Sequence, residues 1–477
     1  MALQAWDCVG KLTTIHVVYE MEKPLKRDAV VAAVDKLLLQ RFPRFRGHVD
    51  PADQYFWVIP ERVDPQGYVE EVELAHTGSM DEALHVHIAH QMRLPLPERR
   101  SWQVQILSRR GGPQFLLWRI AHTLADGVIV AQIMSHVLCE PLNGASVNHE
   151  PQPAPGGERP SVTPPRTKPG VLERLWAFVM GLCFVVMLPF WPSDPPTPLQ
   201  LGPEKWQSLQ QQRQRRRAAG DIDTGAPLSM QLARAPPVRV SDAKAAAARQ
   251  GVTINDLLMT ALASGIRAYV GRVAAADTAA APALEPPPPP PSDLSVTSVV
   301  VVNPRPQAPQ GGGDGTTELL DRYADIQGGG AGCDITLGFL PLPCGAMGEA
   351  ARLRRVADAT RRLKLSPELP LARWLANWLH ACFGVGCVTA VYSYVLAKFT
   401  VYASNVVCPP SARAFCGSRI RSIFFATAPL DFGANFNFLS YDGVITLTSA
   451  AYRAAVPQPQ ILVDCVHASL LELFALD

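Results

Sequence analysis

The sequence lacks an excess of charge of either sign. Its 44 Lys and Arg residues nearly balance 42 Asp and Glu residues, which leaves a formal net charge of +2. Proteins whose main partner is nucleic acid usually carry a strong basic excess. We therefore expect no nucleic-acid partner for this chain.

The sequence also lacks the cysteine spacing of a structural metal site. Its ten cysteines are scattered and form no CxxC pair, and the closest pairs are Cys382/Cys387 and Cys408/Cys416. Neither pair has the spacing of a structural zinc site, so we expect no metal and reduced thiols facing the cytosol. The N-terminus has no basic stretch followed by an apolar core, and no signal peptide is predicted.

Uncharged apolar runs of membrane-spanning length are scarce. The run 175–191 carries no charge but has 17 residues and contains Pro189, whereas a spanning helix needs about 20 apolar residues. A single crossing there would also place the flanking parts of the chain on opposite sides of a bilayer. We therefore predict an interfacial anchor or a monotopic hairpin at 175–191, with the apolar stretch 374–396 as the next candidate.

What the chain does contain is two regions that mix strand and helix patterns. Residues 1–144 form the first region, 145–226 form a Pro-rich linker that holds the apolar run and an Arg-rich stretch, and 227–477 form the second region. Within the second region, Ser241 is the predicted N-cap of a helix that ends just before Gly251. Apolar residues make up 48% of the chain, enough for a large core.

The stretch "RIAHTLADG" contains the candidate catalytic residues. It follows the apolar run "FLLW" and precedes "VIVAQIMSHVL", so His122 to Gly127 are predicted to lie in a strand-to-helix loop. A neutral imidazole is the natural base for removing a proton from an alcohol. Asp126 could orient the loop through a salt bridge or hold the imidazole, and Gly127 lets the backbone turn tightly or approach a ligand. By itself the pattern also fits a packed loop histidine followed by an Asp-Gly turn.

Four segments together resemble the wax ester synthase/diacylglycerol acyltransferase family. They are "AHTLADG", "GVTINDLLMTALASGIRAYV", "YASNVVCPP" and "FLSYDG", and they occur in that family's order along nearly the whole chain. The sequence departs from the family's pattern in several places. Ala121 replaces the first histidine of HHxxxDG, Val407-Cys408 replaces the Pro-Gly of the Ser-Asn-Val-Pro-Gly-Pro segment, and the stretches 100–103 and 332–333 also differ.

The resemblance implies a mixed α/β fold of two chloramphenicol acetyltransferase-like domains with a substrate tunnel between them. It implies that His122 is the general base, supported by Asp126 and Gly127. Asn255 would line the site, although capping of the helix start explains it equally well. Asp256 is expected to support the start of the same helix.

The resemblance also implies the reaction. Acyl-CoA, as co-substrate and with no further cofactor, would esterify a fatty alcohol or diacylglycerol to wax ester or triacylglycerol in a ternary complex. We expect this at a membrane surface, on the cytosolic face of the endoplasmic reticulum. Two alternatives stay open: a catalytically silent lipid-binding relative, suggested by Ala121, and a BAHD-type alcohol acyltransferase, suggested by "LDFGAN" at 430–435.

Overall fold

The computed structural model describes residues 13–50, 57–76, 78–142, 190–201, 229–279, 291–302 and 336–476, with single positions at 179, 183, 187, 207 and 211. Its strands, numbered in chain order, are β1 (Thr14–Met21), β2 (His48–Val49), β3 (Trp57–Val58), β4 (Val69–Glu73), β5 (Trp102–Ser108), β6 (Gln114–Ala121), β7 (Glu140–Pro141), β8 (Met230–Arg234), β9 (Val238–Arg239), β10 (Ser295–Val302), β11 (Thr336–Pro343), β12 (Val401–Val407), β13 (Arg413–Phe415), β14 (Ser418–Thr427), β15 (Ala434–Tyr441) and β16 (Val444–Tyr452).

The helices lie between and beside these strands. They are α1 (Arg27–Val34), α2 (Met80–Gln91), α3 (Gly127–Gln132), α4 (Val240–Gln250), α5 (Ile254–Ala279), α6 (Glu349–Leu365), α7 (Glu368–Leu396) and α8 (Pro459–Phe474). Helices α1 and α3 each continue into one π-helical turn, at Asp35–Leu39 and Ile133–Val137. Short 3₁₀ turns occur at Pro43–Arg46 and Pro65–Tyr68.

Two large mixed sheets organise the described residues. The first has the strand order β4-β5-β6-β1-β14-β13-β7, and the second has the order β11-β10-β12-β15-β16-β8, with β9 paired to β16. Among the strands that the structure describes, β4–β5, β10–β12 and β12–β15 are the parallel pairs. The predicted mixed α/β class with two sheet-containing bodies is confirmed.

The first sheet takes strands from both ends of the chain. β1 pairs along its length with β6 on one side and with β14 on the other, and residues Ile15 and Thr427 are Cα partners. β14 and β13 belong to the predicted region 227–477, so a single cut of the chain does not separate the two sheets. The division at 144 and 227 stays a prediction.

Each sheet buries its own apolar core. On the first sheet, the indoles of Trp102 and Trp118 stack with ring centroids 6.1 Å apart, and both are fully buried. On the second, α5 packs against α8 so closely that a Cβ on Gly265 would lie 2.5 Å from the Cα of Val466. Burial of such large apolar surfaces is the main favourable contribution to folding.

The start of α4 differs from the sequence prediction. The helix begins at Val240, and Arg239 occupies the N-cap position without a side-chain hydrogen bond to the backbone. Ser241 lies inside the first turn and donates to the carboxylate of its neighbour Asp242 instead. The predicted end is confirmed, because Gly251 follows the helix with a left-handed φ of 65°.

Among the described residues, no helix is both long enough and apolar enough to cross a membrane. Most of the predicted anchor 175–191 lies outside the described residues, and the anchor stays a prediction. Of its described positions, Phe190 and Trp191 have 77% and 41% of their surface exposed.

Candidate active site

His122 directly follows the last residue of β6. Its main-chain N–H donates to the carbonyl of Thr13 at 3.0 Å, and the preceding Ala121 N–H donates to the carbonyl of Ser101 at 2.8 Å. These bonds extend the sheet pairing up to His122, so the position of its Cα is set by the sheet. The predicted strand before the loop and the predicted helix after it are both confirmed.

The half-buried His122 lines a cleft with an empty volume of about 840 Å³. Both sheets contribute walls: β1 and β14 come from the first, and β10, β12 and β15 from the second. The lining side chains are mostly apolar, with a few polar groups, and comprise Ile15, Val17, Tyr19, His122, Asp126, Gly127, Val128, Val130, Ala131, Met134, Ser135, Val301, Tyr402, Ser404, Asn405, Val406, Cys408, Ile423, Phe425, Thr427 and Leu439. An apolar cleft with few polar groups suits a substrate with a long hydrocarbon chain.

Asp126 caps the helix that follows the histidine. Its Oδ1 accepts hydrogen bonds from the main-chain N–H groups of Val128 and Ile129, both at 3.0 Å. The side chain is almost completely buried, with 1% exposure. The contacts therefore place Asp126 as a helix N-cap that fixes the loop, and its charge lies close enough to act on the His122 imidazole.

Gly127 opens the cleft rather than forming a special turn. It is the first residue of α3 and lines the cleft, and a Cβ built on it would lie 3.5 Å from Cγ2 of Val406. It is absent from the glycines with positive φ. The distance of 3.5 Å is an ordinary van der Waals contact, so neither a steric clash nor a left-handed backbone requires glycine here, and the glycine simply leaves this part of the cleft without a side chain.

Burial lowers the pKa of His122 below its usual value of 6.5. Two weaker effects act in the opposite direction: a hydrogen bond between the ring and the main chain of the same residue, and the negative charge of Asp126. Removing a charged imidazolium from water is unfavourable, which explains why burial favours the neutral ring. At neutral pH the ring is therefore in the form that accepts a proton.

The start of α5 carries a reciprocal capping arrangement. Asp256 Oδ2 accepts from the Thr253 N–H at 2.8 Å, and Thr253 Oγ1 accepts from the Asp256 N–H at 3.2 Å. The Thr360 hydroxyl on α6 also donates to Asp256. Asp256 thus supports the helix start and joins two helices, while these capping bonds do not involve Asn255.

Asn255 lies beside the cleft wall formed by β12. Asn405 lines the cleft, and its Nδ2 approaches Asn255 Oδ1 at 3.5 Å, the long limit for a hydrogen bond. Asn255 itself is not among the lining residues. The structure therefore brings it to the edge of the site, with Asn405 between it and the cleft.

The residue types around Asn405 on β12 did not predict from the sequence that this segment belongs to the site. Ser404, Asn405, Val406 and Cys408 all line the cleft. The only sequence signal was the similarity of "YASNVVCPP" to a family segment. Of its two departing residues, Cys408 lines the cleft, whereas Val407 is 69% exposed and does not.

A buried amide pair lies beneath the same wall. Asn435 Nδ2 donates to the carbonyl of Thr427 at 2.7 Å, and its Oδ1 accepts from the Ala450 N–H at 2.9 Å. Asn437 Nδ2 donates to Asn435 Oδ1 at 3.3 Å. Because Thr427 is on β14 and lines the cleft, these bonds hold a strand of the first sheet against the second.

The "SYDG" segment is a tight hairpin between β15 and β16. Asp442 and Gly443 both have positive φ, 46° and 80°, as a two-residue hairpin turn requires. Asp442 is buried and pairs with Arg419 at 3.1 Å, and the Tyr441 hydroxyl accepts from the Arg413 N–H at 2.8 Å. These contacts give the segment a structural role.

The described part of the chain contains no group of three or more His, Cys, Asp or Glu side chains arranged to hold a metal ion. The expectation that the reaction uses no metal and no cofactor stays a prediction.

The fold is shared with several solved structures. The wax ester synthase/diacylglycerol acyltransferase from Marinobacter aquaeolei VT8 matches with a TM-score of 0.54 and 16% identity, over 97% of this chain and 95% of that one. The first condensation domain of the calcium-dependent antibiotic synthetase matches with a TM-score of 0.54 and 14% identity, over 99% and 93%. The cyclization-docking bidomain of EpoB from Sorangium cellulosum matches with a TM-score of 0.53 and 13% identity, over 99% and 83%. At these identities the likeness establishes the fold alone.

The two sheets and the cleft between them form the mixed α/β fold that this chain shares with these structures, as the family resemblance predicted. More narrowly, residues 331–474 match the family model of the WS/DGAT C-terminal domain, which confirms the resemblance to wax ester synthase/diacylglycerol acyltransferases. The similarity of these residues to that domain supports an acyltransferase. A search of the curated proteins found no match.

Proposed function

We propose that this protein is an acyl-CoA-dependent O-acyltransferase that esterifies a fatty alcohol, diacylglycerol or both. The observation that carries the proposal is the position of His122, a neutral base held at the end of a buried strand in an apolar cleft between two sheets. The family match of residues 331–474 supports an acyl transfer. The apolar lining supports long-chain substrates.

In the proposed reaction, His122 removes the hydroxyl proton of the acceptor. The alkoxide oxygen attacks the thioester carbonyl carbon of acyl-CoA, and the carbon–sulfur bond breaks as the ester forms. The protonated His122 then returns its proton to the departing CoA sulfur. Its hydrogen bond to the main chain fixes the ring, which leaves the second ring nitrogen to handle the proton.

The neighbouring residues position the base and the substrates. Asp126 holds the loop through its two amide contacts and favours the imidazolium that forms during the reaction. Asn405, with Asn255 behind it, offers an amide donor at the cleft wall for the developing oxyanion. Gly127 leaves room for the reacting groups.

Direct transfer in a ternary complex is favoured over an acyl-enzyme. Cys408 is the thiol that lines the cleft, and burial raises its pKa to about 12, so it is protonated at neutral pH and a poor nucleophile. We expect intersecting lines in two-substrate kinetics. A covalent adduct of the acyl mass, seen by intact-protein mass spectrometry with acyl-CoA and no alcohol, would contradict the direct mechanism.

The decisive experiment is an acyl-transfer assay on the purified protein. Labelled palmitoyl-CoA is supplied with hexadecanol or with diacylglycerol, and the labelled esters are separated by chromatography. Formation of wax ester, triacylglycerol or both is the expected result, and their ratio gives the acceptor preference. A folded protein that makes neither ester would overturn the proposal.

A catalytically silent lipid-binding protein is the second candidate. Two observations favour it. Ala121 replaces the first histidine of the family's HHxxxDG motif, and Cys408, one of the two departing residues at 407–408, lies at the cleft wall. Such a protein would bind the acyl chain without turnover, and replacement of His122 would leave binding unchanged.

We also propose that the reaction takes place on the cytosolic face of the endoplasmic reticulum. The proposed acceptors and products are poorly soluble in water, and a membrane surface gives them a place to enter and leave. Fluorescence microscopy of the tagged full chain with an endoplasmic reticulum marker tests this, and a uniform cytosolic distribution would contradict it.

A further inference from the structure

Helix α7 exposes an unusual set of aromatic side chains. Trp374, Trp378 and Phe383 have 63%, 46% and 63% of their surface in contact with solvent. The two indoles stack with ring centroids 6.4 Å apart, and the Phe383 ring meets Trp378 edge-on at 6.0 Å. Single exposed apolar residues are ordinary, whereas a contiguous exposed patch of this kind marks an interaction surface.

The two halves of α7 have different surroundings. Beyond Gly384, where the helix is interrupted by a residue with φ of 74°, Val395 and Leu396 are buried in a cluster with Phe399 and Phe432. Before Gly384, the residues from 373 to 383 are exposed or half-buried. The first half therefore presents its aromatic side chains outward, while the second half ties the helix to the protein.

Exposed basic residues precede this aromatic patch along the chain. Arg373 is the residue before Trp374, and Arg362 and Lys364 lie in the last turn of α6; all three are exposed. Between 361 and 398 the one acidic residue is Glu368, which is buried with 7% exposure. The segment 361–398 therefore combines exposed aromatic side chains with an excess of basic residues, which suits the anionic headgroups of a phospholipid surface.

A second apolar element meets the far end of the same helix. Lys398 Nζ donates to the carbonyl of Trp191 at 2.9 Å, and the ring of Tyr394, itself 59% exposed, lies 4.5 Å from that ammonium group. Phe190, the preceding residue, is 77% exposed. The end of the apolar run 175–191 is thus fixed beside α7.

We propose that the first half of α7 is a docking surface for an anionic phospholipid bilayer. Trp374, Trp378 and Phe383 enter the interface between headgroups and acyl chains, where indoles are favoured. Arg362, Lys364 and Arg373 bind the headgroups. The surface is distinct from the cleft, so this binding does not depend on the proposed acyl transfer.

The first test measures binding of the full chain to vesicles by flotation. Vesicles contain phosphatidylcholine alone or mixed with phosphatidylglycerol. Trp374→Gln/Trp378→Gln/Phe383→Gln keeps good helix-forming residues and should weaken binding about tenfold or more. The matched control Val86→Gln/Leu471→Gln changes two exposed apolar side chains on other helices and should bind like the unchanged chain.

The charge contribution is tested by Arg362→Gln/Lys364→Gln/Arg373→Gln. Binding to vesicles with phosphatidylglycerol should fall roughly fivefold for each charge removed at low salt, and binding to phosphatidylcholine alone should not change. An equal loss on both kinds of vesicle would contradict the headgroup assignment.

A reporter at the surface itself separates this site from any other lipid-binding segment. Cys382 is exposed within the patch. An environment-sensitive fluorophore can be attached there after the other exposed and half-buried cysteines, Cys183, Cys387, Cys408 and Cys416, and also Cys8 and Cys333 are replaced by Ser. A blue shift on adding mixed vesicles is expected. If the protein floats with vesicles while the emission stays unchanged, the docking surface lies elsewhere and the proposal is overturned.

Two further measurements complete the test. Light scattering after gel filtration measures the oligomeric state of the unchanged chain and of the triple aromatic variant. If the unchanged chain is a dimer while the variant is a monomer that still binds vesicles normally, the patch joins two copies and the proposal is overturned. His122→Ala should bind vesicles like the unchanged chain, which separates docking from catalysis. Loss of vesicle binding in His122→Ala would contradict a docking surface distinct from the cleft.

Discussion

Two helix starts in this protein carry the same kind of residue and use it differently. Asp126 and Asp256 are both 1% exposed, and both cap a helix. Asp126 lines the cleft four residues after His122, whereas Asp256 lies away from the cleft and joins α5 to α6 through Thr360. The same kind of capping aspartate thus fixes a loop of the candidate site at one helix start and joins two core helices at the other.

The comparison shows that a buried aspartate in a family motif is not by itself evidence of catalysis. What distinguishes the two is the side chain beside each: His122 faces the cleft directly, and Asn255 reaches it only through Asn405. Substitutions at the helix start beside the cleft, at His122 and Asp126, should therefore change mainly the catalytic rate. Substitution of Asp256 should change mainly the free energy of unfolding.

The largest effect is expected at His122. His122→Ala should lower kcat by roughly 10²–10⁴-fold, since it removes the proposed general base, with little change in Tm. His76→Ala, on an exposed histidine, is the matched control. If folded His122→Ala retains most of its activity, His122 is not the base, and the helix start at Asp126 then differs from the one at Asp256 in position only.

Asp256→Ala should be mainly a stability variant. It removes the acceptor of the Thr253 N–H and leaves the Thr360 hydroxyl without this partner, which should cost about 2–4 kcal/mol in the free energy of unfolding. Urea denaturation measures this, with Asp242→Ala as the control, because Asp242 is an exposed aspartate in the first turn of α4. Activity per folded molecule should stay near its original value; a large fall in kcat without loss of stability would contradict the structural role.

Asp126→Asn should separate capping from charge. Asparagine caps a helix about as well as aspartate, so stability should change little, while the loss of negative charge near His122 should lower kcat by about tenfold or less. Asp126→Ala should in addition lose about 0.5–2 kcal/mol of stability. Equal stability losses in the two variants, measured by thermal melting, would show that the capping bonds depend on the charge.

The smallest effect concerns pH. Burial lowers the pKa of His122, and a base acts in its unprotonated form, so kcat/KM should rise with pH and level off with a midpoint below 6.5. Because Asp126 raises that pKa, the midpoint in Asp126→Asn should move to lower pH. A midpoint above 6.5 would show that burial does not dominate.

The sequence predicted those parts of the structure that depend on local pattern. The strand ending at Ala121, the helix after Gly127 and the hairpin at Asp442-Gly443 follow from apolar periodicity and turn residues, and all three are present. The overall fold followed from the family resemblance. The predicted N-cap at Ser241 was wrong by two positions, a common error because helix ends are weakly specified by sequence.

Features that depend on distant pairs could not be predicted. The contact of Asn405 with Asn255 joins residues 150 positions apart, and the pairing of β1 with β14 joins the two ends of the chain. Neither leaves a local pattern, because each depends on how the two sheets come together. The cleft wall at β12 was missed for the same reason.

The pairing of β1 with β14, near the opposite end of the chain, has a consequence for the synthesis of the protein. β14 ends at Thr427 of 477 residues, so during synthesis the first sheet, and with it one wall around His122, stays incomplete until most of the chain has left the ribosome. Until then β1 has an open edge, the kind of edge that pairs with other chains. Biogenesis of this protein thus includes a long interval in which a nascent chain needs protection, and a fragment ending before Ser418 should aggregate rather than fold.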